Sequence, residues 1–450
     1  MNAWAEAESR AERAQRLYES GQYGQAAQEL RSAIAVNPYN ASWHFNLALT
    51  LDALGEYRQA ASAYRQVLEL EPEDLEALNG LGVDSTRVGH HRQALQFFEA
   101  IERIDPAYEP SYCNRIITYT EMGDHDQAET MFYLARQVKP ECPLCLYNIG
   151  NSFAERAQYR RAIACWEQAL ALDAEHPQTH ARIADAHWAL GELSAARRHY
   201  LAELRNDPAD TDTLLDLGEL LTEMGHLREA EENFRRVLAE VPDHPSAHFC
   251  LGDLALRRGR LERAEDQFRL VLKIDRNFPG AHQKLGEVLL RQGRTRNAGI
   301  HLLAELRHAG RDPAALMELG QLLMEARKVN QANTVLRKLV ALQPASARAE
   351  HSLAVSYFLL GDLDEGILHC RRALKLRPEY PLALYNLALA HLQKGELPRA
   401  RRYVAKAITI APTDNQIRAL AGRLGVMSFW RTLKARVLPA RARRRRQRRK

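Results

Sequence analysis

The chain has 450 residues, of which 46% are hydrophobic and 26% charged, with a formal net charge of +5 at pH 7. That balance is ordinary for a folded chain, and no apolar run reaches the roughly 18 residues that a membrane-spanning helix needs. The opening segment MNAWAEAESRAERAQ is polar and lacks the apolar core of a secretion signal, so the expected location is cytoplasmic. Six cysteines over this length suggest no disulfide framework and agree with a reducing compartment.

The net charge hides an asymmetry. The last 36 residues, from Asn415, carry 13 Lys/Arg and no Asp or Glu, which leaves 49 basic against 57 acidic residues in 1–414. An acidic body is followed by a strongly basic tail.

The body is periodic. From Gly21, steps of 34 residues reach Gly55, Gly89, Gly123, Ala157, Gly191, Gly225, Gly259, Gly293, Arg327, Gly361 and Gly395. A second series in the same register starts at Ala26 and stays alanine until Gly366 and Ala400. A third places proline at 38, 72, 106, 140, 208, 242, 344, 378 and 412, with Ala174, Arg276 and Gly310 in its gaps. The pattern predicts paired amphipathic helices. Glycine stops the first helix in a left-handed turn, alanine lets the two helices cross closely, and proline ends the second. Where the proline is missing, Pro177, Pro279 and Pro313 are expected to take the first position of the following helix.

With each proline slot set at position 32, twelve repeats start at 7, 41, 75, 109, 143, 177, 211, 245, 279, 313, 347 and 381. Position 7 is aliphatic in most repeats (Leu47, Leu81, Ile149, Ile183), position 8 is small (Gly82, Gly150, Gly218, Gly252) and position 24 is mostly aromatic in the middle (Tyr64, Phe98, Phe132, Trp166). With this period and pattern the chain resembles the tetratricopeptide repeat family, although its usual position-4 tryptophan is replaced by residues such as His44, His180, His248 and His282. The resemblance implies an all-α, right-handed superhelical solenoid over 1–414, whose first helices line a concave groove through positions 2, 5, 6, 9, 12 and 13. It implies a non-catalytic scaffold or adaptor, and says little about which partner is bound.

In chain order, the first repeat carries Arg10 and Arg13 at normally buried positions, as the open end of a solenoid should. In repeats 4 and 5, Asn114, Asn148 and Asn151 are candidates to hydrogen-bond an extended peptide backbone, or else to bond helix to helix; Tyr147 lies beside them. Cys142-Pro143-Leu144-Cys145 has metal or redox spacing, but a zinc site would need two more ligands from Cys113, Cys165 or His176. Packing of small residues is the favoured reading, with no metal or other cofactor expected.

Repeats 6 to 9 place Asp185, Glu219, Asp253 and Glu287 at position 9, a carboxylate ladder suited to an extended basic ligand. Arg182, Arg257, Lys284 and Arg291 are available to neutralise it, and Trp188 and Phe249 face the same groove. Asp212, Asp216 and Glu223 lie on the same lining. Lys or Arg never occupies position 5, which disfavours the family's clamp for acidic chaperone tails. Neither a phosphate-cradling glycine motif nor a nucleophile elbow occurs, so neither an enzyme nor a small-molecule substrate is expected.

Asp414 is expected to cap a helix within 415–425 that covers the last repeat. Residues 426–450 follow. There Phe429 and Trp430 share an apolar helical face, and Arg443, Arg444, Arg445 and Arg446 belong to a near-pure arginine run. The tail supports a second reading, a peripheral membrane- or RNA-associated factor anchored by its arginines. It is also suited to folding back onto the acidic groove, or to capping and solubilising the chain.

Overall fold

The structure is a computed structural model and describes residues 3–306, 310 and 312–425. The described residues form 25 helices and no strand. Helix Ala3–Glu19 packs on Tyr23–Val36, Ala41–Ala53 on Tyr57–Leu70, and the same pairing recurs within each part of the chain, as in Pro381–Gln393 on Leu397–Ile410. No helix among the described residues is long and apolar enough to cross a membrane. The chain divides into two compact units, the first ending at Ala230 and the second starting at Glu231, within helix Leu227–Glu240.

The glycine series does what its spacing predicts. Gly55 adopts φ 75°. Its N–H bonds to the Asp52 carbonyl and the Glu56 N–H reaches back to Leu51, both at 2.9 Å, which satisfies two orphan carbonyls at the helix end. The two exceptions keep the same geometry, with Ala157 at φ 54° and Arg327 at φ 58°. The crossing alanines, from Ala26 and Ala60 to Ala332 and Ala400, are fully buried. Gly366 breaks the series because Phe358 fills the space: a Cβ there would lie 2.2 Å from the ring.

One expectation is corrected. Pro313 opens helix Pro313–Glu325, but Pro177 and Pro279 lie two residues ahead of helices Thr179–Ala189 and Ala281–Arg291. The chain enters these helices through left-handed Gln178 (φ 59°) and Gly280 (φ 77°). The buried carboxylate of Glu203 accepts from the Gln178 and Ala181 N–H groups at 3.0 and 3.1 Å, and Glu305 serves Gly280 and Gln283 in the same way. A carboxylate from the second helix thus caps the first.

The histidines that replace the family's tryptophan also have a structural task. His44 Nε2 meets the Pro38 carbonyl at 2.9 Å, and His248 Nε2 meets that of Pro242 at 3.0 Å. At the first end, Arg13 pairs with Glu29 at 3.2 Å. At the other, Asp414 caps helix Asn415–Arg423, accepting from Ile417 N–H at 3.0 Å, and Ile417, Leu420, Ala421 and Leu424 are buried.

Candidate functional site

In the first unit, helices Thr179–Ala189 and Thr211–Glu223 carry most of the predicted groove chemistry. Asp212, Asp216, Glu219 and Glu223 follow one another at steps of four, three and four residues, so they share one face of the second of these helices. Asp212, Glu219 and Glu223 are exposed and Asp216 is half-buried. Burial, then the charges of Asp185, Glu219, Asp212 and Asp210, push the Asp216 carboxyl up to about 7. Trp188 donates its indole N–H to Glu223 at 2.7 Å, which fixes the ring beside the stripe.

Asp185 accepts the Tyr200 hydroxyl at 2.5 Å and lies 3.7 Å from Arg182. Its pKa is raised, chiefly by burial. Asp185, Arg182 and Asn151, together with Glu155, Tyr159 and Trp166, line a cleft of about 400 Å³. Two residues singled out from the sequence, Asn151 and Asp185, therefore meet in one concavity.

The other asparagines are spent within the fold. Asn114 donates to the Asn79 side chain at 2.8 Å, and buried Asn148 donates to the Cys113 carbonyl at 3.4 Å. Both bond helix to helix, the second of the two roles their positions allowed. Tyr147 packs on His176, with ring centroids 4.8 Å apart.

In the second unit the ladder carboxylates meet the cations the sequence offered. Asp253 pairs with Arg257 at 2.6 Å and Lys284 at 3.4 Å, and Glu287 pairs with Arg291 at 2.5 Å and Lys284 at 3.7 Å. Phe249 packs edge-on against Phe268 and also touches the Phe278 ring, with centroids 5.5 and 5.2 Å away. Phe429, Trp430 and Arg443 to Arg446 lie outside the described residues.

Asp84 gave no signal in the sequence, and the cysteine cluster gave only a partial one in Cys113, Cys142 and Cys145. Asp84 is buried beside Asp52, with neither of its own carboxylate oxygens bonded, while Tyr64 donates to Asp52 at 2.8 Å. Burial, then the neighbouring Asp52 carboxylate, push the Asp84 carboxyl up to about 8. The second feature is the cysteine cluster. Cys113 and Cys145 are disulfide-bonded, against the expectation of no disulfide, because consecutive repeats stack these positions face to face. Cys142 and Glu109 adjoin the pair, whereas His176 bonds Thr179 at 2.8 Å instead.

Two tetratricopeptide repeat models match the sequence, one at residues 147–211, 215–282 and 317–381, the other at 17–82 and 357–424. Together they cover more than half of the chain. No curated protein matches it. Among solved structures, the chain is similar to the APC/C hetero-tetramer Cut9-Hcn1, at 14% identity over 91% of this chain and 95% of that one, with a TM-score of 0.43. Yeast Tom70 aligns at 13% identity over 97% and 99%, with a TM-score of 0.39. YrrB, described as a TPR protein with an unusual peptide-binding site, aligns at 21% identity over 42% and 97%, with a TM-score of 0.38. With its periodic sequence, its paired helices and the family models matched along it, this chain belongs to the tetratricopeptide repeat family.

Proposed function

We propose that this interaction scaffold takes an extended basic peptide, or a basic segment of a protein, along the acidic face of its first unit. The observation that carries the reading is the stripe Asp212, Asp216, Glu219 and Glu223 on one helix face, next to the cleft that holds Asp185 and Asn151. Like charges that already strain one another gain most from a cation that enters among them, and helical walls of low dielectric strengthen the attraction. Arg182 within the cleft sets register by opposing a misplaced cation, while Asn151 offers both a donor and an acceptor to a peptide backbone. In the second unit Asp253, Glu287 and Phe249 are the corresponding ligand-facing positions, where a basic ligand competes with Lys284, Arg257 and Arg291.

The charge segregation in the sequence favours a second reading, in which Phe429, Trp430 and Arg443 to Arg446 anchor the chain on RNA or an anionic membrane and the repeats serve as a platform. A crosslinking pull-down from the native host separates the two. It compares full-length chain, the 1–425 truncation, and the triple variant Asp212→Lys, Glu219→Lys, Glu223→Lys. A protein partner that survives truncation and is lost in the triple variant supports the groove. Recovery of RNA or lipid that disappears with the tail supports the anchor and removes the groove as the main function.

A further inference from the structure

Glu109 opens helix Glu109–Glu121, and Cys113 stands one turn further along the same helix. Cys142 is the N-cap of helix Pro143–Glu155, and Cys145 lies in that helix's first turn. Stacking of the two repeats brings all four together, with one ligand atom from each lying within 4.8 Å of every other. The three cysteines are buried and Glu109 is half-buried.

A single carboxylate oxygen, Glu109 Oε1, faces three sulfurs: Cys142 Sγ at 2.7 Å, Cys113 Sγ at 3.0 Å and Cys145 Sγ at 3.3 Å. Cys113 Sγ and Cys142 Sγ are 3.6 Å apart. A disulfide sulfur has no proton to donate. Of the three contacts only the one from Cys142 is therefore a hydrogen bond while Cys113 and Cys145 are joined, and the other two set lone pairs against lone pairs. A cation at the centre turns that conflict into coordination. With Zn–S near 2.3 Å and Zn–O near 2.1 Å, a tetrahedral site needs its ligand atoms about 3.6–3.8 Å apart. The four side chains are within small rotamer adjustments of that spacing once the S–S bond is open.

The surroundings fit a structural centre. The Cys145 backbone N–H donates to Cys142 Sγ at 3.2 Å, a bond that supports a metal-bound thiolate. Asn148 ties its helix to the Cys113 carbonyl and so holds the two ligand-bearing helices together. Three thiolates select a soft or borderline ion such as Zn²⁺ over Mg²⁺ or Ca²⁺, and four protein ligands leave no open position for catalysis.

We propose that Glu109, Cys113, Cys142 and Cys145 of the reduced chain bind one Zn²⁺ ion, which staples two consecutive repeats, and that the Cys113–Cys145 disulfide is the oxidised, metal-free form of the same centre. Interconversion is balanced by a thiol reductant. Two equivalents of reductant thiol break the Cys113–Cys145 bond, leave two cysteine thiols and become a disulfide themselves. Zn²⁺ then displaces three thiol protons and takes the carboxylate as fourth ligand. This centre is independent of the acidic face and stands or falls separately from it.

The test uses the full chain, reduced under anaerobic conditions and loaded with Zn²⁺ or Co²⁺. Expected are one metal per chain by elemental analysis, thiolate-to-cobalt charge-transfer bands with the visible bands of tetrahedral Co²⁺, and displacement of Co²⁺ by Zn²⁺. Cys142→Ser should abolish those bands and Glu109→Gln should weaken Zn²⁺ at least tenfold, while Cys250→Ser should leave both unchanged. Because the cobalt spectrum is read on the unsubstituted chain, the outcome does not depend on a variant folding. Absence of tetrahedral thiolate bands in the reduced chain, or metal retained at full stoichiometry after the disulfide forms, overturns the proposal.

Discussion

A Cβ on Gly150 would lie 2.4 Å from Nε1 of Trp166, the buried indole whose N–H donates to the Tyr147 carbonyl at 3.1 Å. The glycine at position 8 exists to seat the large residue at position 24 of its own repeat. Gly82 does the same for Phe98 and Gly252 for Phe268. Gly150→Ala should therefore displace the indole and cost about 1–3 kcal/mol, an overpacking penalty that a urea midpoint will show. An unchanged midpoint would mean that the ring has room the packing does not reveal.

Ala157 and Arg327 hold left-handed turns that glycine fills in the neighbouring repeats. Ala157→Gly and Arg327→Gly should each stabilise the chain by about 0.5–1 kcal/mol, since relief of strain outweighs the added freedom of the unfolded chain. Gly191→Ala, at φ 75°, should destabilise it by about 1 kcal/mol. Thermal unfolding of the three single variants checks both signs.

The buried Glu203 and Glu305 carboxylates each accept two backbone N–H groups at the start of a first helix. Glu203→Ala should leave those donors without partners and cost about 1–3 kcal/mol. Hydrogen exchange at Gln178 and Ala181 should accelerate more than exchange in distant repeats.

Asp84 gives the first unit a defined pH response. Burial raises its folded pKa from the ordinary carboxylate range to about 8. The proton it keeps therefore favours the fold fully below about pH 4, and that contribution is lost as pH rises towards 8. Asp84→Asn keeps a neutral group of similar shape. Its stability relative to the parent chain should rise as pH is taken from 5 to 8, measured as the difference in urea midpoints. A difference that stays flat would show that Asp84 ionises normally.

The repeat scaffold was legible because three residue types mark it in one register: Gly55 must turn left-handed, Ala60 must sit at a crossing, and Pro72 must end a helix. These demands are local. Pro177 and Pro279 were misplaced because their helices start under a cap supplied by Glu203 and Glu305, more than twenty residues away. The cysteine centre was half visible. Cys142 and Cys145 announce themselves by spacing, but Glu109 looks like an ordinary first-turn acid until the next repeat is stacked on it. Asn114 and Asn148 have the right chemistry for a groove, and only the neighbouring helix shows that their amides are already engaged.

The central claim is that the first-unit face binds basic segments by charge and register. Its most direct test is fluorescence anisotropy with an extended Lys/Arg-rich peptide, titrated against the parent chain and the variant Asp212→Lys, Glu219→Lys, Glu223→Lys. The account predicts saturable binding by the parent, weakening with added salt, and at least a tenfold loss in the variant at low ionic strength. Equal affinity for both chains, or binding indifferent to salt, would contradict it.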